Sequence, residues 1–188
     1  MARRAGIALV VTLVAGVALL PAGPVPAEVT ISGGGSFGWG RANADSTRNV
    51  ERWITGAARF CGSYHARWRV DCLRDQYRQV VPRLPRTGPY AAVAVALSAA
   101  ADELDSIAAR EADPARAPAR LTEGGGRQSA GTVRATAPAR QNSANRAAAA
   151  VIDRLATQLL RSAPAGATRD FAALSRAAEG AKTLLRSG

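Results

Sequence analysis

Cys61 and Cys72 are the only cysteines of the chain, and they stand eleven positions apart. In one unbroken helix their α-carbons would lie about 16 Å apart, at 1.5 Å of rise per residue. A disulfide needs them within about 7 Å. If the two are bonded, the chain has to reverse between them, and Gly62-Ser63 offers a place for a helix to stop. That one covalent condition turns the flanking segments into a pair of adjacent helices. Two other readings of FCGSYHARWRVDC, residues 60–72, compete with it. A metal site would use Cys61, His65 and Cys72. His65 is the only histidine, however, and the spacing matches no common zinc motif. A redox pair would lack the Cys-x-x-Cys arrangement. The expectation is a structural disulfide with no metal and no cofactor, and with His65 as a loop residue.

The compartment points the same way. Arg3 and Arg4 precede an uncharged apolar run of fourteen residues, Ile7 to Leu20, and Val25-Pro26-Ala27 follows as a small-residue exit. Together these are the parts of a secretory signal peptide, read here over residues 1–27. The run is short for a membrane span, which takes roughly 20 residues. Retention as an uncleaved anchor is the competing reading. Exported chains are where paired cysteines oxidise. The expected localisation is therefore periplasmic or extracellular.

After that segment, residues 28–44 read as a flexible leader: VTI, 29–31, could form a short strand, but GGGSFGWG, 33–40, is too glycine-rich to hold a regular element. An alternative is that its Phe37 and Trp39 insert into a partner or membrane interface. Five stretches then show the 3.6-residue period of amphipathic helices. The first begins near Asp45 or Ser46, either of which could cap it, and stacks Val50, Trp53, Ile54, Ala57, Phe60 and Cys61 on one side. The second, Ala66 to about Val81, aligns Ala66, Val70, Leu73, Tyr77, Val80 and Leu84, and Pro82 and Pro85 close it. The third follows Pro89 with Tyr90, Val93, Ala94, Leu97, Ala101, Leu104 and Ala108. The fourth, Asn142 to Arg161, aligns Ala148, Val151, Ile152, Leu155 and Leu159. The fifth, capped by Thr168, aligns Phe171, Leu174, Ala178, Ala181 and Leu185. The expected fold is all-α: a small Ala-rich bundle of two antiparallel helical hairpins plus one N-terminal helix, stapled by one disulfide. A stapled half, 45–112, and a C-terminal hairpin, 142–188, complete one domain.

Between those halves lies DPARAPARLTEGGGRQSAGTVRATAPARQ, residues 113–141. Few large apolar side chains offset its ordering entropy, so composition predicts a disordered basic linker.

Function is read from charge, because the chain shows no nucleophile elbow and no phosphate-binding glycine loop opening a helix. Asp71 and Asp75 share a helix face with Arg67, Arg74 and Arg78, which reads as surface ion pairing. The acidic run Asp102, Glu103 and Asp105 reads as a solvated face paired with nearby arginine. The chain carries a formal charge of +11, and loss of Arg3 and Arg4 would leave +9. An exported protein with such an excess meets anionic membrane or envelope polymer rather than nucleic acid. Arg48, Arg52 and Arg59 fall together on the outer face of the first helix, and Arg116, Arg120, Arg127, Arg134 and Arg140 lie in the linker. These eight are the candidate contacts to an anionic surface. The reading is a non-catalytic binding or structural accessory protein of the cell envelope, whose partner is an envelope protein or an anionic membrane or polymer. Direct binding to that membrane or polymer is one alternative, and an enzyme of unrecognised type is another. No oligomeric state is legible.

Overall fold

The computed structural model describes residues 41–187. The signal peptide read over 1–27, and the leader up to residue 40 with its Phe37 and Trp39, lie outside the described residues. Five helices follow one another: α1 Ala44–Gly62, α2 Arg69–Val80, α3 Ala91–Arg110, α4 Gln141–Arg161 and α5 Thr168–Arg186. Their bounds fall close to those expected from periodicity, because each apolar stripe is buried. Val50, Ile54, Ala57, Phe60, Leu73, Tyr77, Leu97, Leu104, Ile152, Leu155, Phe171 and Leu174 all lie in one core.

The caps differ from expectation. Asn43, assigned to the leader, caps α1 with its Oδ1 accepting from the Ser46 N–H at 2.9 Å. Asp45 is instead a first-turn carboxylate, placed favourably for the helix dipole. Thr168 begins α5 rather than capping it. His65 precedes a short 3₁₀ turn, Ala66–Trp68, and its Nδ1 accepts from the Arg67 N–H at 3.4 Å.

Each helix packs on the next, and α5 packs on α1, so the five close into a ring. An odd number of elements in an up-and-down ring forces the first and last to run parallel. The contacts at the two ends show that they do. Tyr90, just before α3, stacks on Phe171 near the start of α5, with ring centroids 6.0 Å apart. Its hydroxyl lies 2.7 Å from Thr47 Oγ1 near the start of α1. At the opposite end, Arg69 at the start of α2 donates to the Leu184 carbonyl of α5 at 2.8 Å. The two antiparallel hairpins, α2–α3 and α4–α5, and the N-terminal helix are thus the expected parts, with α1 closing the ring between α2 and α5.

The largest departure from expectation is the segment 113–141, which is ordered. Glu111 and Ala137 are already joined by a hydrogen bond of 3.0 Å, so the connection from α3 to α4 spans almost no distance. The chain between them runs out and returns as an irregular hairpin with antiparallel bridges Ala112–Thr136, Ala119–Val133 and Thr122–Gln128. Gly126, with φ +81°, takes the turn in a conformation that side-chain-bearing residues rarely adopt. Leu121 and Val133 point from the hairpin into the core.

The hairpin lies along α2 and the short turn that precedes it, and is tied to both at successive levels. The Thr136 N–H donates to the Arg67 carbonyl at 2.8 Å. The Arg134 N–H donates to Asp71 Oδ2 at 2.6 Å. The N–H groups of Ala130 and Gly131 donate to the two oxygens of Asp75 at 3.0 and 2.9 Å. Near the tip, Arg127 donates to Gln76 Oε1 at 2.7 Å. Composition misjudged this segment because its order comes from polar anchors on another element, and Asp71 and Asp75 were misread with it. They are 1% and 3% exposed, buried beneath the hairpin rather than paired on the surface.

The disulfide Cys61–Cys72 joins the end of α1 to the first turn of α2, with α-carbons 5.7 Å apart. The Cys61→Ala/Cys72→Ala double variant is expected to lose about 2–3 kcal/mol, since so short a loop restricts the unfolded chain. Denaturant titration checks this. Alkylation of the unreduced parent should label no thiol.

Candidate functional site

Three of the eight candidate arginines meet a fourth across the fold. Arg48, Arg52 and Arg59 are exposed on the outer face of α1, as its periodicity placed them. The hairpin tip brings Arg127 to the same face, and the four line an open cleft of about 730 Å³ together with Asp45 and Glu51. Asp45 is engaged by Arg48, and Arg52 donates to Asn49 Oδ1. Among the described residues, no carboxylate forms an ion pair with Arg52, Arg59 or Arg127.

Arg127 is held by three contacts. Its guanidinium donates to the Gly56 carbonyl at 3.0 Å and to Gln76 Oε1 at 2.7 Å, and lies 4.9 Å from the centre of the Phe60 ring. Gly56 lies directly beneath it: a Cβ there would make van der Waals contact with Arg127 Nη1 at 3.4 Å. Burial, with the positive fields of Arg83 and Arg59, holds the Arg127 pKa below the ordinary arginine value despite nearby Glu123.

A second depression of about 360 Å³ adjoins the first and shares Arg52, Gly56 and Arg127 with it. Arg83 and Trp53 line it, with the Arg83 guanidinium 5.8 Å from the Trp53 ring centre. Sequence reasoning passed over Arg83 because Pro82 and Pro85 mark it only as part of a helix stop. Its one available signal is Trp53, an aromatic at the margin of the α1 stripe and only partly buried.

The remaining linker arginines divide. Arg116 and Arg120 are exposed on the hairpin and line neither depression. Arg140 donates to the Arg110 carbonyl at 2.9 Å and lies 3.9 Å from Glu111. Arg134 is withdrawn from any surface role. Its guanidinium bonds Asp71 Oδ1 at 2.9 Å and also pairs with Asp105. Hydrogen bonding to Asp71, foremost, raises its pKa above the ordinary arginine value. The acidic run on α3 is paired as its charge pattern implied: Arg78 bridges Asp102 and Asp105, and Arg154 meets Glu103. Both cysteines are taken by the disulfide, so the Cys61, His65 and Cys72 set is not available to a metal.

No family model matches the chain, and neither a curated protein nor a solved structure does.

Proposed function

We propose that this protein is an exported, non-catalytic binding protein of the cell envelope, and that the arginine-lined face of α1 engages an anionic envelope component. The observation that carries this reading is convergence. Arginines from a helix and from a hairpin tip far along the chain line one cleft, and three of them have no carboxylate partner among the described residues. Like charges repel, so their gathering raises the local potential toward anions. Export rests on the signal-like residues 1–27, and the disulfide is the state an oxidising compartment maintains. Among the described residues no helix is long and apolar enough to cross a membrane.

Binding led by exposed charge weakens as salt screens it, over a Debye length of about 8 Å at physiological ionic strength. Each basic side chain near an anionic membrane contributes about 1 kcal/mol at most. The exported protein, without residues 1–27, is therefore expected to co-sediment with anionic vesicles at low salt, and less at physiological salt. Neutral vesicles should leave it in solution. The Arg48→Gln/Arg52→Gln/Arg59→Gln variant should keep its helical content and bind about tenfold or more weakly, as the loss of two or more such contacts implies. Equal binding by variant and parent would remove α1 from the interface.

A further inference from the structure

We propose that the groove between α1 and the hairpin tip holds a linear polyanion, an extended chain bearing a negative group at each repeat. This rests on the reading above and narrows it from any anionic component to one shape of ligand. Three observations carry it.

The first is length. Arg48 and Arg59 stand eleven positions apart on one helix, which places them about 16 Å apart along its axis. A lone phosphate or carboxylate would touch one end of that line, whereas an extended chain follows it.

The second is continuity. The two depressions share Arg52, Gly56 and Arg127, so a chain lying on Arg48 and Arg52 can pass Arg127 and reach Arg83 without leaving the groove. Five arginines line the combined path against two carboxylates, and Asp45 is already engaged by Arg48.

The third is preorganisation at the crossing point. The Arg127 head is fixed by Gly56, Gln76 and Phe60, so it loses little freedom when a ligand arrives. Arg83 and Arg59 also repel it, partly offset by nearby Glu123, and an anionic group placed among the three arginines would relieve that repulsion. A planar bilayer meets the outward stripe Arg48, Arg52 and Arg59. It does not enter the recess that Arg83 and Arg127 line together with Gly56 and Gln76. The concave site favours a chain over a sheet of headgroups.

Calorimetry on the full chain tests this with linear polyphosphate of several tens of units, tripolyphosphate and orthophosphate as probes, at low and physiological salt. The long chain is expected to bind at least about 100-fold more tightly than tripolyphosphate, because each further contact is intramolecular once one end is held. Its affinity should fall with salt at a slope near that of four or five neutralised charges, about −0.7 each for a single-stranded polyanion. The Arg83→Gln/Arg127→Gln variant should lose about tenfold or more in long-chain affinity. Arg161→Gln on α4, a helix that borders α3 and α5 in the ring, should lose nothing. Equal affinity for tripolyphosphate and the long chain would make this a small-anion site and overturn the proposal. So would parental affinity in the Arg83→Gln/Arg127→Gln variant. Capture by anionic vesicles without affinity for the long chain would overturn the polymer and leave the surface reading standing. Failure to bind either at low salt would remove both.

Discussion

Asp71→Ala is expected to destabilise the protein by about 3 kcal/mol, the lower end of the range for stripping one partner from a buried ion pair. The carboxylate is almost wholly enclosed and takes four hydrogen bonds: one from Arg74, and three from the backbone and side chain of Arg134. Its loss leaves two guanidinium groups facing a vacated acceptor site. Arg74 and Arg134 have side chains 12% and 27% exposed, so water can reach them in part, which sets the figure at the low end. Denaturant titration measures the loss. Limited trypsin digestion tells where it falls. In the parent, cleavage at Arg116, Arg120 and Arg127 should be slow, because the hairpin must first peel from α2. In Asp71→Ala those sites should be cut early while α4 and α5 persist. Parental stability with unchanged digestion would show that Asp71 does not hold the hairpin.

The same cluster predicts acid sensitivity. Burial alone would raise the pKa of Asp105, but its hydrogen bond to Arg134 and the charges of Arg134, Arg78 and Arg74 outweigh that and lower it below 3.8. A carboxyl depressed in the folded state adds stability that is present above its unfolded pKa. That contribution is lost as pH falls through the depressed value, so the hairpin should loosen only in strong acid.

Phe171→Ala is expected to cost about 3–5 kcal/mol, the usual range for emptying a buried phenylalanine site. Phe171 is fully buried at the end of the ring where α1, α3 and α5 begin, and Tyr90 stacks on it. The Tyr90 hydroxyl also reaches Thr47 and the Asn43 carbonyl, so a slack Tyr90 would loosen the start of α1 as well. The helices here cannot close in to fill the gap without breaking those bonds. The midpoint of denaturation should fall with its slope unchanged. Leu160→Ala, at a residue 47% exposed, is the comparison and should change stability by no more than about 0.5 kcal/mol. A loss of similar size in both variants would mean that this end of the bundle is not tightly packed.

The sequence by itself determined the five helices and the faces they bury. A helix repeats every 3.6 residues, so the contacts of Val50, Ile54 and Ala57, or of Phe171, Leu174 and Ala178, follow from local spacing whatever the partner is. It also determined the disulfide, because two cysteines with a helix stop between them have one economical arrangement. The outward stripe of Arg48, Arg52 and Arg59 belongs to the same class of knowledge, since a helix that buries one side must display the other.

Only the tertiary structure decided what residues 113–137 do. Their order depends on Asp71 and Asp75, which stand about forty or more positions earlier and carry no local sign of being covered. The one local hint was the glycine run 124–126, which turns the chain between Glu123 and Arg127, and a turn does not say what its arms will rest on. The direction of ring closure and the placing of Arg83 and Arg127 beside the α1 stripe are likewise products of three-dimensional packing. Periodicity reports which side of a segment wants to be buried. It carries no information about which distant polar groups will meet there, and those meetings built both the hairpin and the groove.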